Sequence, residues 1–297
     1  MIAYDKYTWT THLFDIEGSM VREIMWRVGL NVVWATIVVA YHRYWSAFDM
    51  SLTAHTLVGL ALGLLLVFRT NASYDRFWEG RKLWGSIINE TRNITRTTRA
   101  LISPDATDLT QRIGLWTIAF AYASKNSLRG TETLGPSSQL LPSDEVEAAL
   151  NSAHPPSTVG KNMTLCLVEA RDRGLISDYV MIAIDDNVRK LVDDIGGCER
   201  IRSTPLPFVY VVHLRRALIA YCFTLPMALV SFYGWWTILV TFMISYTFFG
   251  IEEIGVEIED PFGDDANDLP LEVFCEIIDR EVTCLLEMET QPRAIPR

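Results

Sequence analysis

The sequence predicts an all-α membrane protein with four transmembrane helices and a cytosolic helical bundle. Its hydrophobic content of 49% and mean hydropathy of +0.17 are high for a chain with a net charge of -10. Charge is absent from Met50 to Phe68 and again from Ala217 to Ile251. No stretch between Arg69 and Pro205 alternates polar and apolar residues over a useful length, so we expect no sheet.

The first 24 residues carry charges throughout and hold no continuous apolar core, so we expect a cytosolic or interfacial segment and no cleavable signal peptide. Residues 25–68 predict the first transmembrane hairpin. Its first span covers Met25 to Tyr41, and a turn near Ser46 leads into the second span. The run from Met50 to Phe68 approaches the ~20 residues that cross a hydrocarbon core.

The second span presents two patterns on neighbouring helical faces. Leu60, Leu64 and Phe68 recur at every fourth position and form one apolar stripe. Such a stripe can face lipid, a packed core or a pore. Gly59 and Gly63 have the small-xxx-small spacing that lets another membrane helix approach closely, and we assign them to helix packing.

Residues 69–205 predict a cytosolic helical domain. The helix of the second span continues past Phe68 to about Ile102, and basic residues outnumber acidic ones along it, which marks the cytoplasmic side. We expect further helices at about 109–128, 159–173 and 176–194. A short helix after Ser143 is expected to have Ser143 and Glu147 as a capping box.

Residues 206–257 predict the second transmembrane hairpin. The charge-free run is too long for one span, and the FYGWW segment, Phe232 to Trp236, has the glycine and aromatic residues of a turn at the headgroup level. The arginines before this hairpin place its tip outside. The prediction is therefore a multi-pass protein of the inner (plasma) membrane with both termini cytoplasmic.

Several function classes are disfavoured. An acidic chain lacks the basic face that nucleic acid requires. The histidines are scattered singly, with no HExxH pattern, and the chain has neither a Walker loop nor GxGxxG. These observations predict that the protein is not an enzyme, requires no cofactor and does not drive transport with nucleotide by itself.

One possible metal site follows the last span, in the C-terminal acidic segment and helix that we assign to residues 258–297. Asp264, Asp265 and Asp268 follow a turn at Pro261 and Gly263. Carboxylate oxygens suit a hard divalent cation such as calcium, although the spacing is not that of an EF-hand. A solvated acidic turn explains the same residues equally well.

Three motifs in order resemble the bestrophins, in particular their prokaryotic branch: FRTNASYDRFWEGRKLWG (Phe68–Gly85), GCERIRSTPLPF (Gly197–Phe208) and EDPFGDDANDLPLE (Glu259–Glu272). The resemblance implies a homopentameric, all-helical ion channel with one central pore formed by the second span. It places the pore neck at Leu60, Leu64 and Phe68 and a cytosolic aperture at Val180. Apolar rings of this kind can gate by dewetting.

Calcium binding and ion selectivity differ among members of the family that the chain resembles. Animal bestrophins use an unbroken acidic run after the PFG turn as a calcium clasp, whereas this chain has Ala266 and Asn267 there. Animal members pass anions, and prokaryotic ones resemble monovalent cation channels. The net charge of -10, with Asp178, Asp185 and Asp186 near the aperture, favours cations.

The alternatives are an anion (chloride) channel of the same architecture, a secondary transporter, or a membrane-anchored scaffold that binds a soluble partner. No obvious inverted repeat or Gly/Pro-broken helix pair supports a transporter. The partners we expect are the other subunits, the lipid bilayer and permeant monovalent ions, without nucleic acid.

Overall fold

A computed structural model describes residues 19–48, 50–103, 106–131 and 133–287. Most of the predicted N-terminal interfacial segment, residues 1–18, lies outside the described residues. Within them all regular structure is helical, so the all-α prediction is confirmed. The α-helices are α1 (Val21–Tyr44), α2 (Leu52–Leu101), α3 (Thr107–Arg129), α4 (Ser143–Leu150), α5 (Pro155–Asp172), α6 (Asp178–Ser203), α7 (Phe208–Tyr233), α8 (Thr237–Glu257) and α9 (Leu271–Glu287).

The chain divides into two compact units. Within the described residues, the first, which we call the membrane unit, comprises 19–78 together with 205–261 and 265–268; the second, the helical unit, comprises 79–204, 262–264 and 269–287. The division within α2 falls after Trp78, whereas the charge pattern of the sequence predicts a boundary after Phe68.

The membrane unit packs α1 against α7 and α8 around an apolar core. Three stretches of the described residues are long and apolar enough to cross a membrane: Val21–Tyr44, Leu52–Leu101 and Phe208–Glu257. The third contains two helices, because α7 ends at Tyr233 and a 3₁₀ turn follows. Gly234 adopts a φ of 50°, which favours glycine, so the FYGWW segment breaks the apolar run where the sequence predicts.

Helix α2 runs without interruption through both the apolar and the charged halves of its sequence. No proline occurs between Leu52 and Leu101, so no backbone N–H in its interior is missing. This continuity confirms the prediction that the second span extends as one helix beyond Phe68.

The helical unit buries its large aromatic side chains between α3, α5, α6, α9 and the second half of α2. Trp84, Trp116 and Phe120 are fully buried, and Trp84 lies 5.9 Å from Phe274 between ring centroids. Gly197 of α6 packs so closely against Leu83 that a Cβ there would stand 2.9 Å from a leucine methyl group. The helices of this unit are therefore closely packed around a buried aromatic core.

Helix ends in this unit differ in part from the prediction. The capping box at Ser143 and Glu147 is wrong, since Ser143 is already helical and Pro142 occupies the N-cap. Helix α5 begins earlier than expected, at Pro155, because the His154 ring accepts a hydrogen bond from the backbone N–H of Ser157. Helix α6 begins at Asp178 and continues to Ser203, beyond the predicted end near residue 194.

Candidate pore-lining and ion-pair sites

The apolar stripe lies on the exposed side of α2. Leu60, Leu64 and Phe68 are 73%, 56% and 57% exposed. The opposite face, beginning at Leu62 and Leu66, is buried against the rest of the membrane unit. The part of the chain that the structure describes leaves the stripe exposed, so these side chains are available to lipid, water or another subunit.

A buried ion-pair network holds the other side of α2 at the end of the stripe. Arg69, directly after Phe68, is 1% exposed, and its Nη1 donates to Oε1 of Glu252 on α8 at 2.6 Å. Arg215 donates from Nε to the same oxygen at 2.8 Å, and Arg27 Nη1 lies 3.5 Å from Oε2. One buried carboxylate therefore joins α1, α2, α7 and α8.

A second tie follows one turn later. Ser73 is fully buried and donates from its hydroxyl to the backbone carbonyl of Gly255 at 2.7 Å. Gly255 also lies beside the Arg69 side chain, since a Cβ there would be in ordinary van der Waals contact with it at 3.6 Å. Helix α2 is thus fixed to α8 by a charge and by a hydrogen bond.

The two glycines of α2 have different surroundings. A Cβ at Gly59 would lie 2.6 Å from the hydroxyl of Tyr221, so this glycine lets α7 approach α2 closely. A Cβ at Gly63 would meet nothing within 4 Å. Within the described chain, Gly59 alone of the pair packs against another helix.

The candidate aperture residue lies in the first turn of α6. Ser177 is the N-cap, and its hydroxyl accepts a hydrogen bond from the backbone N–H of Val180 at 3.4 Å. Val180 is half-buried, whereas Tyr179 and Ile182 beside it are 87% and 62% exposed. This helix end therefore carries exposed apolar and aromatic side chains.

Carboxylates near this helix end have protein partners. Asp186 pairs with Arg189 at 2.8 Å and with Lys190 at 3.0 Å, and these hydrogen bonds hold the pKa of its carboxyl below the usual range. Asp185 accepts a hydrogen bond from the hydroxyl of Thr164 at 2.6 Å. Pairing reduces the field that such carboxylates exert on a passing ion.

The carboxylates after the PFG turn are also engaged. Asp268 is 3% exposed, and its Oδ2 accepts the backbone N–H of Asp265 at 2.7 Å. Asp264 pairs with Arg129 at 3.2 Å. In the part of the chain that the structure describes, no group of three or more acidic, histidine or cysteine side chains is arranged to hold a metal ion. As placed, Asp264 and Asp268 already have protein partners, which a metal ion would have to replace.

Sequence reasoning missed the roles of Glu252 and Arg129. Glu252 is the first charged residue after the long apolar run. In the sequence, a carboxylate at the end of a span is as consistent with an interfacial position as with a buried one. Only the packing of α1, α2 and α7 around Glu252 buries it. Arg129 is one of many arginines in the sequence, and no local pattern distinguishes it.

Comparison with known protein families decides the assignment. The profile of the bacterial/fungal bestrophin proteins matches residues 1–284. The chain belongs to the bestrophin family. This bestrophin is 36% identical over 294 residues to a voltage-dependent anion channel-forming protein of Nostoc sp., covering 97% of the chain and 95% of the relative. It is 31% identical over 293 residues to the protein of that description, YneE, from Escherichia coli K12, covering 98% and 95%.

Solved structures agree with this assignment. A bacterial bestrophin homologue from Klebsiella pneumoniae is 33% identical, with a TM-score of 0.83 over 89% of this chain and 98% of that one. A single-residue variant of the Klebsiella pneumoniae homologue gives a TM-score of 0.84 at 32% identity, covering 89% and 99%. The family, with the apolar helices described above, establishes an integral membrane protein.

Proposed function

We propose that this bestrophin is a homopentameric ion channel that passes monovalent ions passively. The observation that carries the proposal is the exposed stripe of Leu60, Leu64 and Phe68, which lies opposite the face that α2 buries in its own subunit. The relatives are named as channel-forming proteins, and the absence of enzyme motifs in the sequence agrees with these names.

In this proposal the stripe faces the five-fold axis and forms a hydrophobic neck, and Val180 contributes to a second ring at the cytosolic aperture. Five copies of an apolar side chain make a constriction that excludes water unless it widens. The Arg69–Glu252 pair fixes the side of α2 that faces away from this axis, so the stripe is held in place by a buried contact. We further propose an inner-membrane position with both termini cytoplasmic.

Two ion selectivities have support from different observations. The relatives are named as anion channels, which favours anions. The net charge of -10 per chain and the resemblance to prokaryotic bestrophins favour cations, as the sequence analysis predicts. The pairing of Asp186 with Arg189 and Lys190 weakens the local part of the cation argument.

A reversal-potential measurement in a planar bilayer under a potassium chloride gradient tests both levels of the proposal. A reversal potential with the sign of the potassium equilibrium potential supports cations, and the sign for chloride supports anions. Absence of any current from the purified, reconstituted assembly would contradict the channel itself. In that case a stoichiometric soluble partner in a pull-down would favour the scaffold.

The pore residues are tested by widening each ring. Leu64→Ala and Val180→Ala are expected to raise the single-channel conductance, because each removes bulk from an apolar constriction. Leu239→Ala is the matched control, since Leu239 is an exposed leucine of α8 outside the stripe, at 47% exposure. Unchanged conductance in both pore variants, or an equal rise in the control, would contradict the assignment. Flux that saturates at low substrate and depends on a proton gradient would instead indicate a secondary transporter.

A further inference from the structure

Oxygen atoms at and after the PFG turn surround the guanidinium group of Arg129. The side chain of Arg129 is 9% exposed and lies among oxygens from residues 262–264 and 269–272 of the helical unit. Arg129 is the last residue of α3. Gly130, which follows it, adopts a φ of 73°, and the N–H of Gly130 donates to the carbonyl of Asn126 at 2.7 Å. The helix end therefore fixes the base of the side chain.

Every nitrogen of the Arg129 guanidinium has an oxygen partner. Its Nε donates to the carbonyl of Phe262 at 3.2 Å, and its Nη2 donates to those of Gly263 at 2.8 Å and Leu269 at 3.3 Å. Its Nη1 donates to both carboxylate oxygens of Glu272 and lies 3.2 Å from Oδ1 of Asp264. Backbone carbonyls and carboxylates are the donor types that calcium prefers in proteins.

The charges of this Arg129 cluster balance without a metal ion. Lys125 lies 3.6 Å from Glu272, so two cationic side chains, Lys125 and Arg129, face two carboxylates, Asp264 and Glu272. A divalent cation added to these groups would meet a guanidinium at contact distance and no surplus carboxylate. Its binding would have to displace Arg129 from a nearly buried position.

We propose that Arg129 is the built-in cation of the turn after the last span, so that the folding of this segment in this bestrophin does not depend on a divalent metal. The guanidinium takes the carbonyl and carboxylate oxygens that a hard cation would otherwise bind. This role concerns the stability of the segment and does not depend on which ion the channel passes.

The first test compares melting temperatures of the detergent-purified full-length assembly in calcium chloride and in chelator, followed by intrinsic tryptophan fluorescence. The wild-type protein is expected to melt within about 1 °C in the two conditions, because a ligand that does not bind the native state does not stabilise it. A clear rise of the wild-type melting temperature in calcium would overturn the proposal.

The second test removes the cation. Arg129→Met keeps an unbranched but shorter apolar stem and loses the guanidinium. We expect a melting temperature lower by about 6 °C or more, because the carbonyls of Phe262, Gly263 and Leu269 lose a charged hydrogen-bond donor at a nearly buried position. Arg173→Met is the matched control: Arg173 pairs with Asp108 and Glu169 at the surface, 47% exposed, and its loss should shift melting by about 2 °C or less. Equal shifts in the two variants would contradict a special role for Arg129.

The third test distinguishes a cation position from an ordinary structural contact. In Arg129→Met the oxygens are released, so calcium chloride should raise the melting temperature of this variant and leave Arg173→Met unchanged. If Arg129→Met is destabilised but calcium does not raise its melting temperature, Arg129 does not occupy the position of a metal ion, and the proposal is refuted. Should Arg129→Met not fold, Arg129→Lys keeps the charge with fewer donors and should melt below wild type; a wild-type melting temperature in that variant would also contradict the proposal.

Discussion

Replacing Glu252 by glutamine should destabilise the membrane unit more than any exposed charge change nearby. The carboxylate is 2% exposed and lies 2.6 Å from Arg69 and 2.8 Å from Arg215. Glutamine preserves the shape and one accepting oxygen but removes the negative charge. Arg69, at 1% exposure, cannot recover its hydration, whereas Arg215 and Arg27 reach solvent or headgroups more easily.

The size of the effect follows from the burial of Arg69. Leaving one partner of a buried ion pair without its counter-charge costs about 3 to 5 kcal/mol. With about 2 °C of melting temperature per kcal/mol for a protein of this size class, the expected decrease is about 6 °C or more. Glu253→Gln is the control, because Glu253 contacts the partly exposed Arg27 at 2.7 Å and Arg27 keeps a second carboxylate nearby. That variant should lose about 1 kcal/mol or less.

The assay is thermal unfolding of the purified assembly in one detergent at one protein concentration. A double variant completes the design: Arg69→Met combined with Glu252→Gln removes the stranded charge and should be less destabilised than the sum of the two single changes. Additive losses, or a Glu252→Gln melting temperature within about 1 °C of Glu253→Gln, would refute the view that Glu252 is the counter-charge of a buried arginine.

Two further predictions concern helix packing and pH. Gly59→Ala should lower the melting temperature, because its Cβ would overlap the Tyr221 ring, whereas Gly63→Ala should be neutral or stabilising by up to ~1 kcal/mol of helix propensity; a loss at Gly63 would show that another subunit packs there. A bidentate hydrogen bond from Arg92 holds the pKa of Glu281 below its ordinary value of 4.5. The stability from this pair is therefore present above pH 4.5 and is lost as the pH falls through the lower folded-state pKa. The wild-type protein should melt at a higher temperature than Glu281→Gln near neutral pH, and this difference should disappear on acidification. A difference in melting temperature that is independent of pH would contradict the prediction.

The sequence predicts the helical elements well and the helix ends less well. Charge-free runs identify the apolar helices, and the aromatic and glycine residues of Phe232 to Trp236 locate the break between α7 and α8. Helix ends depend on which side chain reaches a free backbone N–H. At Ser143 the capping pattern is present but Pro142 holds the N-cap, and at Pro155 the capping group is a histidine, which the pattern does not include.

The candidate site also combines features that local sequence spacing predicts with features that depend on the fold. The spacing of Leu60, Leu64 and Phe68 is a local property, so the sequence shows that they share one face of a helix. The partner of Arg69 lies 183 positions away in sequence. Many carboxylates precede and follow Glu252, and only the fold selects one. The Arg129 cluster has the same character, because its oxygens are mostly backbone carbonyls, which carry no sequence signal.

The arrangement of α2 gives the strongest physical reason for an assembly. Its span has one face closed by apolar packing and by the Arg69–Glu252 pair, and an opposite face on which Leu60, Leu64 and Phe68 are exposed. Compared with apolar packing of the same volume, an intact buried ion pair adds little net stability, although breaking it is costly, and what it can add is a fixed geometry. Here the pair sets the rotation of α2 directly after Phe68, and so sets where the stripe points. A fixed direction matters when identical stripes from several subunits must meet around one axis, as the proposed channel requires.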